Sequence, residues 1–252
     1  MAGVYENQDN MSMDISIVIP AFNEADKIGF DVRAASSFIL EQGWKGEVIV
    51  VDDGSRDLTA EIARKVEISK KIKREVIRLD RNSGKGFALK TGILKSTGDI
   101  VWFADSGLCT PFLYGLPGVE WIRSGKCDLA IGSRLHPETV ILRNRPLKRR
   151  ILSRLFHLAA VLITGLPYRI KDSQCGFKLY QGDIARELYG ECRSTGYLFE
   201  LEIILRALKK GYKLKEFPIK WSCDPDTRLR PLGEAISILK ELFLVRRTIK
   251  KP

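Results

Sequence analysis

Four short apolar runs, each followed by a polar or acidic cluster, constrain this chain more than any other feature. Asp14–Ile19 (DISIVI), Glu47–Val51 (EVIVV), Glu75–Leu79 and Asp99–Ala104 (DIVWFA) read as strands. Between them lie segments with helical spacing: Ala25–Gln42, stopped by Gly43, then Thr59–Ser69 and Phe87–Lys95. Strands alternating with helices at this rhythm predict an α/β fold with a doubly wound, mostly parallel sheet flanked by helices, much like a Rossmann fold. In such a sheet ligands bind beyond the carboxyl ends of the strands. That edge would gather Pro20-Ala21-Phe22-Asn23-Glu24, Asp52-Asp53-Gly54-Ser55, Asn82-Ser83-Gly84-Lys85-Gly86 and Asp105-Ser106-Gly107.

Further on, Leu129–Ile131 and the FKLY after Gly176 read as short strands. Pro146 precedes an amphipathic helix running to about Thr164, Phe199–Lys209 is helical, and Lys215–Trp221 is one more strand. The expected division is a disordered segment over 1–13, a catalytic domain over 14–230 and a basic amphipathic helix over 231–252. No apolar run approaches the roughly 20 residues needed to span a membrane. Five scattered cysteines without a CxxC pair give no zinc pattern and suit a reducing compartment, hence a cytoplasmic location.

Charge divides the chain. Residues 1–133 carry 17 basic and 19 acidic side chains and residues 134–252 carry 25 and 12, so the net +11 lies wholly in the second half. An anionic partner for that half follows: anionic lipid, a phosphorylated substrate or nucleic acid. Nucleic acid is disfavoured, because no recognisable RNA-binding module accompanies the basic residues. A solvated basic surface is the plain alternative.

The strand-end clusters suit a nucleotide carrying a diphosphate. Asp52 and Asp53 offer carboxylates to a base or ribose, although a DGS turn also simply links strand to helix. The Gly-rich stretch around Lys85 opens a helix and offers backbone amides and an ammonium to phosphate. It lacks the P-loop spacing, and no GxGxxG follows the first strand, which speaks against a dinucleotide dehydrogenase. His136 and His157 show no partner spacing and read as structural.

IVIPAFNE, VIVVDDGSRD, RNSGKGFALKTG, the Asp105 cluster, AIGSR and DSQCGFKLY occur in this order. Together they resemble glycosyltransferase family 2, and closely its dolichyl-phosphate glucosyl/mannosyltransferase branch, from about Ile15 to Arg247. The branch's DTQCGFK element reads Asp172 to Lys178 here, and its F-D-x-E element reads Phe199-Glu200-Leu201-Glu202. The resemblance implies a GT-A fold and an inverting transfer of a hexose from UDP-glucose or GDP-mannose to dolichyl or polyprenyl phosphate. It implies that Pro20, Phe22, Glu24 and Asp52 hold the nucleoside and that Lys85 lies near the donor. It implies that Asp105 binds Mg²⁺ or Mn²⁺ bridging the diphosphate. Arg134, Arg149 and Ser153 match acceptor-phosphate positions, with Asp172 and Gln174 orienting sugar or acceptor, or merely their own loop. Asp105, Arg134 and Arg149 would then be the catalytic set, and Arg228 and Arg230 could close over the phosphates.

One departure stands out. The family's Asp-Ala-Asp-Leu reads Asp105-Ser106-Gly107-Leu108, so the second carboxylate is missing. A nucleotide-sugar-binding protein without turnover therefore stays open, as does a family 2 transferase acting on another glycan. Restoring Gly107→Asp is expected to tighten the metal. A polyprenyl tail stays in the bilayer, so the protein is expected to act peripherally on the cytosolic face, through 151–166 and 235–249 or through a membrane protein partner.

Overall fold

The computed structural model describes residues 13–143, 147–222 and 235–250. The expected disordered segment up to residue 12, Arg228 and Arg230, and the start of the terminal segment at 231–234 lie outside these residues, as do the side chains of Lys148 and Arg149.

The first half follows the alternation seen in the sequence. It runs β1 (Met13–Ala21), α1 (Ala25–Glu41), β2 (Gly46–Asp52), α2 (Thr59–Lys65), β3 (Lys73–Arg78), α3 (Lys85–Lys95) and β4 (Gly98–Ala104). A 3₁₀ turn at Phe112–Gly115 leads into α4 (Leu116–Arg123), followed by β5 (Leu129–Ser133) and β6 (Val140–Arg143). Then come α5 (Leu147–Thr164), β7 (Phe177–Gln181), α6 (Gly182–Glu191), α7 (Phe199–Lys209), β8 (Leu214–Pro218), β9 (Lys220–Ser222) and α8 (Ala235–Lys250).

Seven strands form one sheet in the order β3-β2-β1-β4-β7-β5-β8. All neighbours are parallel except β7, which runs antiparallel to both β4 and β5. The expected single strand over 215–221 is two strands: β8 joins the main sheet, and β9 pairs with β6 in a small parallel ribbon. Helices α4 and α6 and strand β6 are not among the elements expected from the sequence.

The sheet is covered on both faces, and β1 shows why its sequence is apolar throughout. Ile15, Ile17, Ile19 and Ala21 point into the cluster with α1, while Val18 points into the cluster with α3 and α6. A third cluster joins α5, α7 and α8 through Leu201, Leu205, Leu242 and Val245. The terminal helix thus buries one face against the body of the protein.

The buried polar exception in β1 is Ser16. Its hydroxyl donates to Glu47 at 2.8 Å, and Glu47 also accepts from Thr97 and from Lys73 at 2.9 Å. Burial works against the Glu47 charge, yet these donors hold its pKa below the ordinary 4.5. A depressed carboxyl stabilises the fold above its unfolded pKa, and that contribution is lost as pH falls through the folded value. The network lies at the amino ends of the strands, away from the ligand edge. Glu47→Ala is therefore expected to cost about 2 kcal/mol in urea unfolding at pH 7, less at pH 3, and to leave ligand binding unchanged.

Candidate active site

At the carboxyl ends of β1 and β2 the backbone turns sharply and is tied by side chains. The Asn23 amide donates to Ser55 Oγ, and the Glu24 amide to Thr59 Oγ1, both at 2.8 Å. Pro20 is buried in β1, and Phe22 and Glu24 are half-buried just beyond it. The Asp52 carboxylate is fully buried; Oδ1 accepts from the Ser55 amide at 2.9 Å, and Oδ2 stands 3.6 Å from Arg78 Nε. Oδ2 has no hydrogen-bond partner, so it is an acceptor awaiting a donor.

Asp53, which the sequence grouped with Asp52, does something else. It accepts from the Ser83 and Gly84 amides at 2.7 and 2.9 Å, and burial pushes its pKa up against those bonds. This clamp fixes the loop that opens α3, and with it the position of Lys85.

Asp105 extends from β4 with its amide donating to the Gly176 carbonyl at 2.9 Å, one step beyond the β4–β7 ladder. The Asp105 carboxylate lies so close over Gly176 that a Cβ at 176 would collide with it. That contact explains a glycine within the CGFK run. Lys85 Nζ lies 2.7 Å from Asp105 Oδ1 and 3.2 Å from Glu200 Oε1. Glu200 in turn binds the fully buried Lys178, whose ammonium also donates to the Cys175 carbonyl. Burial opposes the charges of Lys85 and Glu200, but attraction to their partners wins: the Lys85 pKa is raised and that of Glu200 lowered.

The loop after Asp105 is held from below by Asp31 of α1. Its carboxylate accepts from Ser106 Oγ at 2.7 Å and from the Gly107 amide at 2.9 Å, and burial pushes its pKa up. Gly107 has φ +97° and Leu108 φ +47°. A side chain at 107 would be strained and would place an aspartate beside a buried carboxylate. For Gly107→Asp to tighten a metal as expected, the loop would first have to change.

Across the cavity, Arg134 donates from Nε and Nη2 to Asp172 at 2.7 and 2.6 Å, and from Nη2 to the Gln174 carbonyl at 2.6 Å. Burial disfavours the guanidinium charge, but Asp172 raises its pKa further. Gln174 Nε2 is buried without a partner. A cavity of about 210 Å³ separates these groups, lined by Lys85, Asp105, Arg134, Gln174, Tyr197 and Trp221 among others. Burial pushes the Cys175 thiol at its wall up to about 12, which removes it as a nucleophile.

Asp52, Lys85, Asp105, Arg134, Asp172 and Gln174 thus share one edge; Lys85, Asp105, Arg134 and Gln174 line one cavity, and Asp172 holds Arg134. Ser153 is half-buried on α5, and Arg149 lies one turn before it on the same helix. Sequence reasoning left three groups unassigned. Asp31 betrays itself as a charge within the apolar stripe Ile28–Val32–Ala35 of α1. Glu200 and Lys178 lie inside recognised motifs, but nothing in their spacing says that they meet. A larger cavity, about 520 Å³, opens beside Arg206 and Lys210, both already paired with Glu191.

The sequence model of the family described as Glycosyl transferase family 2 matches residues 16–188. A dolichyl-phosphate beta-glucosyltransferase of Saccharomyces cerevisiae is 31% identical, over 96% of this chain and 76% of the relative. That of Drosophila melanogaster is 32% identical, over 94% and 76%. Among solved structures, glucosyl-3-phosphoglycerate synthase of Mycobacterium tuberculosis, in complex with Mn²⁺, UDP-glucose and phosphoglyceric acid, superposes with a TM-score of 0.67. That likeness covers 95% of this chain and 81% of the synthase at 19% identity, so it speaks to the fold, which is GT-A. The chain, with its strand-end carboxylates and its mixed seven-stranded sheet, belongs to glycosyl transferase family 2.

Proposed function

We propose that this enzyme moves a hexose, with inversion, from a nucleotide sugar to dolichyl or another polyprenyl phosphate at the cytosolic face of a membrane. The observation that carries the reading is the cavity itself. It lies between a carboxylate–lysine pair (Asp105, Lys85) and a buried guanidinium (Arg134), in a chain whose relatives are named for glucosyl transfer to dolichyl phosphate. Those names, and the UDP-glucose in the synthase complex, favour UDP-glucose over GDP-mannose as donor.

The vacant Asp52 acceptor receives a donor group of the nucleoside, with Pro20, Phe22 and Glu24 beside it. Lys85 offers its ammonium to the diphosphate. Asp105 is one hard oxygen ligand, 37% exposed on its side chain. Among the described residues no group of three or more His, Cys, Asp or Glu could hold a metal. One carboxylate suits Mg²⁺ or Mn²⁺ when diphosphate oxygens and waters complete the shell. Such an ion would offset the charge of the departing nucleoside diphosphate. The acceptor phosphate is already an anionic nucleophile, so the protein's task is to align it and balance its charge. Arg134, kept rigid by Asp172, does so from the cavity wall, with Arg149 and Ser153 of α5 assisting and the Gln174 amide contacting sugar or acceptor.

Radiolabelled transfer from UDP-glucose and GDP-mannose to polyprenyl phosphate tests this directly. Lipid-linked glucose is the expected product; nucleotide binding without transfer to any acceptor would favour the non-catalytic reading that Gly107 keeps alive.

No helix among the described residues is long and apolar enough to cross a membrane. Support for peripheral docking comes from α5 and α8, which pack together yet leave apolar side chains outward. Leu147, Ile151, Leu155, Leu158 and Leu162 form an exposed stripe on α5, and Leu239, Phe243 and Leu244 are exposed on α8. Arg150, Arg154, Lys240 and Arg247 are exposed on the same helices, a pattern suited to anionic lipid. Flotation with anionic liposomes at low salt is expected for the whole chain and is expected to weaken in Leu155→Asp/Phe243→Asp. Retention at the bottom of the gradient would leave anchoring to a membrane protein partner. Deleting α8 is a poor test, because it strips Leu242 and Val245 from the core.

A further inference from the structure

We propose that Lys85 is the resident counter-cation of Asp105, and that it must leave that carboxylate before a divalent cation binds, so that cation and nucleoside diphosphate enter as one cooperative unit. The inference rests on the reading above that Asp105 is the metal carboxylate, and goes beyond it by assigning a competitor to that ligand.

Three observations carry it. First, Lys85 Nζ lies 2.7 Å from Asp105 Oδ1, on one of the oxygens a cation would take. Second, the cluster is already charge-balanced: Lys85 and Lys178 face Asp105 and Glu200. The neighbouring Arg134–Asp172 pair is balanced too. A lone dication would therefore meet no surplus negative charge, and a lone diphosphate no surplus positive charge. Together the dication offsets the two charges of a nucleotide sugar's diphosphate, and most of the charge of a free nucleoside diphosphate. Third, Glu200 holds the other side of the ammonium at 3.2 Å, and the rings of Phe103 and Phe199 lie 4.9 and 5.8 Å from it. On leaving Asp105, Lys85 stays tethered at the cavity wall, where diphosphate oxygens arrive. Gly107 sharpens the competition, since no second carboxylate beside Asp105 is available to hold the cation alone.

The consequence is reciprocal coupling: the nucleotide tightens the metal and the metal tightens the nucleotide by one common factor. The probe is Mn²⁺, titrated into the full chain with and without UDP and followed by the electron paramagnetic resonance signal of the free ion, after correction for the ion that UDP binds in a protein-free titration. In the unmodified protein Mn²⁺ is expected to bind weakly alone and about 10- to 100-fold more tightly with UDP. Lys85→Met and Lys85→Gln are each expected to tighten Mn²⁺ in the absence of UDP by about tenfold and to shrink the coupling. Lys85→Arg, which keeps the charge, is expected to keep lone Mn²⁺ binding weak, an effect that a purely structural role for Lys85 would not produce. Circular dichroism melts confirm that the variants compared are folded. Unchanged or weaker Mn²⁺ binding in folded Lys85→Met and Lys85→Gln overturns the proposal, as does equal Mn²⁺ affinity with and without UDP in the unmodified protein. Asp105→Asn separates the two levels: if it leaves Mn²⁺ binding intact, the metal reading itself is wrong. If it abolishes binding while the lysine variants change nothing, only the competition is wrong.

Discussion

Asp105→Ala is expected to lower kcat/KM for hexose transfer by about 10²- to 10³-fold while leaving the thermal midpoint within a few degrees of the unmodified protein. The carboxylate lies at the end of β4, where its amide is secured by Gly176 whatever the side chain. Its loss removes the single hard oxygen ligand at this position and unpairs Lys85 on one side, but Glu200 still holds that ammonium. The side chain is also 37% exposed, so water replaces part of what is lost. Steady-state transfer assays with and without chelator, paired with a melt, check the expectation. Full activity in the variant would remove Asp105 from the chemistry altogether.

Arg134→Ala is expected to behave differently, losing stability as well as transfer. Arg134 and Asp172 are mutually buried, 14% and 7% exposed on their side chains, and joined by two guanidinium bonds and the Arg134 amide. Removing only the guanidinium leaves the buried Asp172 carboxylate without its counter-charge, at a cost of about 3 kcal/mol. It also releases the Gln174 carbonyl, and with it the loop before β7. Arg134→Met/Asp172→Leu removes both charges at once and is expected to recover most of that stability without recovering transfer. Urea unfolding of the three proteins gives the stability terms, and acceptor KM together with calorimetric UDP binding gives the functional ones. UDP affinity within about twofold of the unmodified protein is expected in the double variant, because Arg134 is bound to Asp172 and the Gln174 carbonyl rather than to Asp52, Lys85 or Asp105. Weakened UDP binding with normal acceptor use would move Arg134 to the donor side.

These two residues mark what could be read in advance. Asp105 was legible because its position follows from a local rule: an apolar run long enough to be a buried strand, then a carboxylate at its end. Arg134 was legible as a functional position only through the resemblance. Its bidentate pairing with Asp172, 38 residues later, had no local signal. The Asp52-Asp53 pair separates the cases within two residues. Both follow a strand, yet only the register of β2 leaves Asp52 with a vacant acceptor while Asp53 reaches the loop before α3.

The sequence by itself determined the βαβ rhythm, the buried faces of the strands and the edge to which the polar clusters converge. Each of these depends on periodicity and on the chemistry of neighbouring residues, which a chain carries in linear order. Only the tertiary structure decided that β7 enters antiparallel between β4 and β5, bringing Gly176 against Asp105 and Lys178 under Glu200. It also decided that Asp31, from the first helix, holds the loop where a second aspartate was expected. These contacts join residues 22 to 76 positions apart. Their reason is that a buried charge must find its counter-charge in space, and the sheet order, which no local pattern encodes, determines who is near.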